Sequence, residues 1–178
     1  MVGARMTPWR FGEPIEGWLC PDSQCKLAEL IQKWHIHTVL EIGTCYGASA
    51  LWFAARVNHV TCIDLWQDIP EHGFTHIFPS FIANVRASGL ASKLTALVGN
   101  SHFLTLGDAR FDLVYIDAGH TYEDVRQDIE MYGPMADKVL CGDDYDVNLP
   151  SVAGVVRAVD ECVPERRTFG RFWYWERK

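Results

Sequence analysis

Five carboxylates and one imidazole stand where this sequence could do chemistry. Glu41 lies near the end of Thr38-Val39-Leu40-Glu41-Ile42, Asp64 ends Val60-Thr61-Cys62-Ile63-Asp64, Asp117 ends the run from Phe111, and Asp143 with Asp144 follows Lys138 to Gly142. His120 comes three residues after Asp117, in Asp117-Ala118-Gly119-His120. Clustered carboxylates repel, and burying them requires a cation, a shared proton or a hydrogen-bonding ligand. Three carboxylates on two neighbouring strand ends (Asp117, Asp143, Asp144) suit a hard divalent cation with oxygen ligands, Mg²⁺ that keeps some of its waters or another of its class. Such an ion lowers the pKa of an oxygen bound to it. An imidazole, with an unperturbed pKa of about 6.5, can take a proton at neutral pH. Any one of these acids is as readily a helix cap or a loop residue. Five at successive strand ends are harder to set aside.

The elements that must position them read as follows. Pro21 suits the first turn of a helix, with Asp22 on its positive end and Leu27, Leu30, Ile31 and Trp34 on one face. A strand over 38–42 leads through Gly43-Thr44-Cys45-Tyr46-Gly47 into a helix from Ala48 to Arg56, and a second strand covers 60–64. A Pro- and Gly-punctuated loop from Trp66 to Pro79 precedes a helix ending at Gly89. A third strand covers Leu94 to Val98, Ser101 can cap a short helix, and a fourth strand covers Phe111 to Asp117. Thr121-Tyr122-Glu123-Asp124 resembles a capping box for a helix that stops before Pro134. A fifth strand at 138–142, a helix from Ser151 to Val163 and a closing hairpin over 168–177 complete the chain. Apolar strands alternating with helices predict an α/β, doubly wound protein: a mainly parallel sheet with helices on both faces and a C-terminal antiparallel hairpin. Its ligands belong beyond the carboxyl ends of the strands, where the acids fall.

The first turn narrows the ligand. A dinucleotide fold wants Gly-x-Gly-x-x-Gly, so that backbone can approach a pyrophosphate. Here the pattern is Glu41-x-Gly43-x-x-x-Gly47. It lacks the tight double glycine and places an anion where pyrophosphate would be repelled, which disfavours a nicotinamide-dependent dehydrogenase. Glu41 suits a cationic ligand end, and Asp64 stands where a ribose-binding acid belongs. Together they fit a nucleoside with a positively charged tail, as S-adenosylmethionine is.

Glu41-Ile-Gly-Thr-Cys-Tyr-Gly-Ala-Ser49 resembles the cofactor motif of class I S-adenosylmethionine-dependent methyltransferases. It is similar in particular to the metal-dependent O-methyltransferases of the catechol and the macrocin and mycinamicin sugar types, and the likeness runs from about Pro21 to the C-terminus. The resemblance implies a Rossmann-like fold and Mg²⁺-assisted transfer of a methyl group to a hydroxyl of a small molecule, phenolic or sugar-bearing; a metal-independent methyltransferase of the same fold and a non-catalytic S-adenosylmethionine-binding module are the alternatives. It assigns Glu41, Gly43, Thr44, Tyr46, Gly47 and Ser49 to the methionine part of the cofactor, and Asp64 and Leu65 to the ribose side. Asn100, Ser101 and His102 fall beside the adenine; Asp117 lies by both cofactor and metal. Asp117, Asp143 and Asp144 become the metal ligands, and His120, with Asp117, the catalytic pair. The catechol enzymes carry Asn where Asp144 stands and Lys where His120 stands; the sugar-modifying relatives use an acid and His there.

Composition bounds the rest. The chain of 178 residues has 16 basic and 23 acidic side chains, a net charge of −7, which argues against a surface that tracks phosphates. Its length fits one domain, residues 1–178, with residues 1–20 as an N-terminal arm. No apolar run reaches the roughly 20 residues of a membrane span, and the arm has no signal-peptide apolar region. Cys45, Cys62, Cys141 and Cys162 sit singly in apolar runs, and Cys20 and Cys25 lack zinc spacing, so a cytosolic protein with reduced thiols is expected. Aromatics for an acceptor pocket are Trp9, Phe11 and Trp18 of the arm, Trp66, His72, Phe74 and Phe78 of the loop after Asp64, and Tyr145, unless they merely plug the top of the sheet. Asp146 reads as a turn residue or a spare ligand. In the closing hairpin, Phe172 and Tyr174 alternate with Trp173 and Trp175, so one pair faces the core and the other is exposed or packs on a partner. A homodimer through that edge is a further expectation.

Overall fold

A computed structural model describes residues 19–177. The expected arm, with Trp9, Phe11 and Trp18, lies almost wholly outside the described residues. The elements are α1 (Pro21–Trp34), β1 (Thr38–Ile42), α2 (Ala48–Ala54), β2 (His59–Asp64), α3 (Ile77–Ser88), β3 (Leu94–Val98), β4 (Phe111–Ile116), α4 (Tyr122–Tyr132), β5 (Ala136–Gly142), α5 (Ala153–Cys162), β6 (Arg167–Phe169) and β7 (Phe172–Glu176). One seven-stranded sheet runs in the order β3-β2-β1-β4-β5-β7-β6. The first five strands are parallel, and β7 joins β5 antiparallel, with β6 outside it. This is the doubly wound sheet with a terminal hairpin that the sequence predicts. Among the described residues no helix is long and apolar enough to cross a membrane.

Successive residues of each strand serve opposite layers, as the period of two requires. Val39, Cys62, Tyr115, Cys141 and Phe172 pack with Leu27 and Leu30 of α1, Phe53 of α2 and Phe81 of α3. Leu40, Ile63, Val114, Leu140 and Trp173 pack with Val125 and Ile129 of α4 and Val155 and Val159 of α5. Both faces of the sheet are therefore covered, and only its ends are open.

The local chemistry of the helix ends follows the sequence closely, with small shifts. Pro21 opens α1, whose cap is Cys20. Thr121 caps α4 by accepting the Asp124 N–H. α2 stops at Ala54 rather than Arg56; the Arg56 guanidinium instead folds back over the Trp52 ring. α3 begins at Ile77, two residues before Pro79, because proline is tolerated in a first turn whose N–H has no helical partner. The two Asp68 carboxylate oxygens accept the His76 and Ile77 N–H groups there. The short turn after β3 is capped by Asn100, which accepts the His102 N–H, and not by Ser101.

The hairpin corrects one expectation. Phe172, Trp173 and Tyr174 are all buried, and Trp175 is half-buried. β7 is an interior strand, so both aromatic pairs lie under helical layers and neither forms a free face. The edge strand on this side of the sheet is β6, whose three residues are exposed.

Candidate active site

The turn after β1 is fixed by its backbone. Gly43 has φ of 89°, and a Cβ there would stand 2.1 Å from the Asp117 carbonyl oxygen. Only glycine allows the ends of β1 and β4 to approach so closely. Gly47, φ 90°, lies against the Phe81 ring and starts α2. Beneath the turn Glu41 is fully buried. Its Oε2 accepts the Thr44 hydroxyl at 2.7 Å, and Oε1 is buried with no hydrogen-bond partner among the described residues. Burial pushes the Glu41 carboxyl up to about 7, against the hydrogen bonds of Ser49 and Thr44. A buried acceptor left open is satisfied by a donor from a ligand, and a cationic one restores the charged form.

Asp64 is engaged more fully than its expected role suggests. Its Oδ2 accepts the Thr44 and Cys45 N–H groups, each at 2.8 Å, and its Oδ1 accepts that of Trp66 at 2.6 Å. The acid therefore builds the turn first and keeps only Oδ1 capacity for a hydroxyl. Leu65 beside it and Val98, paired with Asp64 across β2 and β3, are more than half exposed. They form an apolar ledge at the sheet's open end. Past it, Ser101 is braced from α4 by the Tyr132 hydroxyl, which reaches the Ser101 carbonyl at 2.6 Å. His102 Nε2 stands 3.5 Å from the buried Asp128.

Tyr46 is turned away from this ledge. Its hydroxyl donates to the Thr75 carbonyl at 3.3 Å and its ring stacks on Phe74. Trp66 is buried against Phe78 and Phe81, with Nε1–H on the Cys45 carbonyl. Three of the loop aromatics expected to face an acceptor, Trp66, Phe74 and Phe78, thus pack inward, because the sheet's open top has to be plugged there. Tyr145 is also occupied: its hydroxyl donates to Asp160 and accepts from Arg166.

The second half of the site lies at the ends of β4 and β5. Ligand atoms of Asp117, His120 and Asp144 fall within 4.8 Å of one another. His120 Nε2 is 2.8 Å from Asp144 Oδ2, and the Tyr115 hydroxyl donates to Asp117 Oδ2 at 3.2 Å. Asp143 is next to this cluster but turned inward: its Oδ1 accepts the Asp144 N–H and its Oδ2 the Ser23 hydroxyl. Adjacent residues project to opposite sides, so the two aspartates cannot both face one point without a bend, and Asp144 takes φ of 63°. Burial holds the Asp117 and Asp143 carboxyls above the usual carboxylate range; for Asp117 the charge of Asp143 adds to it. Burial and the charge of Arg171 lower the His120 imidazole. Asp146 is a turn residue: its Oδ1 accepts the Asn148 N–H.

Arg171 was not among the residues expected here. It sits in the turn between β6 and β7 and forms an ion pair with Asp144 Oδ1.

Residues 40–145 match the protein family described as a methyltransferase domain. The chain belongs to that family. It is a class I, S-adenosylmethionine-dependent methyltransferase, and the fold agrees. The O-methyltransferase of Bacillus cereus bound to S-adenosylhomocysteine superposes with a TM-score of 0.63 at 19% identity, over 89% of this chain and 82% of that one. The O-methyltransferase of tomaymycin synthesis from Streptomyces achromogenes gives 0.63 at 20%, over 88% and 79%. A TDP-rhamnose 3′-O-methyltransferase of calicheamicin biosynthesis gives 0.63 at 14%, over 89% and 81%. No curated protein matches the sequence. In this methyltransferase Glu41, Asp64 and Asp117 all stand at the carboxyl ends of adjacent parallel strands, β1, β2 and β4.

Proposed function

We propose that this methyltransferase moves the methyl group of S-adenosylmethionine to a hydroxyl of a small phenolic or sugar-bearing molecule. The observation that carries this reading is the His120–Asp144 pair at 2.8 Å beside Asp117, at the strand ends next to the cofactor turn. Glu41 Oε1, buried and without a partner among the described residues, fits the cofactor's ammonium; Asp64 Oδ1 fits a ribose hydroxyl, and Leu65 and Val98 the adenine face. When bound, the cofactor supplies an electrophilic methyl on sulfur.

The chain's own residues then handle the acceptor's proton. His120 is neutral at pH 7, since its burial and the charge of Arg171 both disfavour the imidazolium. Nε2–H donates to Asp144, which fixes the tautomer and leaves Nδ1 as the base. Asp117 and Asp144 would hold a divalent ion, which would lower the pKa of the acceptor hydroxyl. Two carboxylates and waters suit Mg²⁺; if His120 Nε2 joins them, the donor set suits Mn²⁺, Fe²⁺ or Zn²⁺ better, and His120 no longer serves as base. The metal's identity thus reports the role of the imidazole.

Calorimetric titration with S-adenosylhomocysteine, with Mg²⁺ and with chelator, followed by turnover on catechol and sugar acceptors, tests the proposal. Binding plus turnover that chelation abolishes supports it in full. Turnover that survives chelation removes the metal and leaves the His120–Asp144 pair; binding without turnover on any acceptor points to a binding module instead.

A further inference from the structure

The acids at the ends of β4 and β5 already face a cation of the chain's own. β5 and β7 pair antiparallel with Gly142 opposite Trp173, and continuing that register by two residues puts Arg171 opposite Asp144. The backbone closes the same way, with the Tyr145 N–H on the Arg171 carbonyl at 2.8 Å. Arg171 reaches Asp144 Oδ1 through Nη2, and its Nε is buried without a partner among the described residues. His120 engages the other oxygen of Asp144. Both oxygens of this carboxylate are therefore committed before any ligand arrives.

We propose that Arg171 is the resident counter-cation of the site, and that a divalent ion binds only by displacing it from Asp144. The inference rests on the metal-assisted reading above. A guanidinium keeps its charge at every working pH, so it cannot yield by losing a proton. Two cations on one carboxylate repel, and in a partly buried site water screens them poorly. The ion pair relieves the repulsion among Asp117, Asp143 and Asp144 while the site holds no ion, and the same interaction subtracts from the affinity of an incoming ion. Arg171 would thus set the ion concentration at which the site fills.

Mn²⁺ binding, followed by loss of the free-ion paramagnetic resonance signal, tests this on the whole protein and on Arg171→Gln, Arg171→Met and Arg171→Lys. The Gln and Met variants keep the length of the stem without the charge and should bind Mn²⁺ about tenfold or more tightly than the parent protein. Arg171→Lys keeps the charge and should stay within about threefold of the parent. Binding by Gln and Met variants that is equal to the parent's, or weaker, overturns the competition and leaves the metal site standing. No Mn²⁺ binding by any of the four proteins overturns the competition and the metal-assisted reading together.

Discussion

His120 Nε2 and Asp144 Oδ2 lie 2.8 Å apart, and the carboxylate is brought there by a left-handed backbone at Asp144, φ 63°. A non-glycine residue in that region is strained, and the strain here coincides with the one acid that touches both His120 and Arg171. The pair makes a carboxylate–imidazole dyad whose free nitrogen is Nδ1.

Replacing the base should separate chemistry from binding. In His120→Gln, kcat should fall about 100- to 1,000-fold while affinity for S-adenosylhomocysteine stays within a factor of two or so, since the His120 ring engages Asp144 rather than the residues of the Glu41 turn. Steady-state rates and calorimetry check this; an equal loss in both would make His120 structural.

Glu41 should give a pH-dependent stability. Its folded pKa of about 7 stands above its ordinary value of 4.5. The protonated form is the one the fold prefers, so this contribution is complete below pH 4.5 and is lost as pH rises through about 7. Glu41→Gln should therefore gain stability relative to the parent between pH 5 and pH 8, by up to about 3 kcal/mol. Urea unfolding midpoints at the two pH values measure the gap. The same variant should lose cofactor affinity most at pH 8, where the parent carboxylate is ionised.

Gly43→Ala should be among the costliest changes in the protein. The added carbon meets a backbone carbonyl at 2.1 Å and φ of 89° is strained for alanine, so β1 and β4 would have to part. A fall in melting temperature of about 10 °C or more is expected, read by circular dichroism.

Asp64 should show a double effect. Asp64→Ala strands three backbone N–H groups, on Thr44, Cys45 and Trp66, and should cost about 2 kcal/mol as well as cofactor affinity. Asp64→Asn keeps one acceptor oxygen and should recover about half the stability without the affinity. Paired unfolding and binding curves for the two variants distinguish turn-building from ribose binding.

Much of this was legible in the residues. Apolar runs ended by acids located the sheet and its open end, Pro21 and Thr121 marked two helix starts, and Gly43 with Gly47 marked the turn. Three matters were not. The approach of Asp117, His120 and Asp144 to one another, with Asp143 bonded to Ser23 instead, depends on a left-handed bend that Asp-Asp-Tyr does not announce. The full use of Asp64 by backbone N–H groups depends on how tightly the turn folds over it. Arg171 needed the strand register: a hairpin read only as a terminal edge hides the fact that β7 pairs with β5.

The contact between Gly43 and the Asp117 carbonyl also bears on how the protein unfolds. β1 and β4 are distant in sequence; the Asp112 carboxylate that accepts the His37 N–H is 75 residues along the chain. Pairing over such a separation comes late, because chain entropy is lost before contacts reward it. The Glu41 turn cannot take its ligand-ready shape until β4 has paired beside β1 and brought the Asp117 backbone against Gly43. A nucleoside held there would find its partners only on the native side of the barrier, so it would lengthen the lifetime of the folded state and leave the refolding rate where it was.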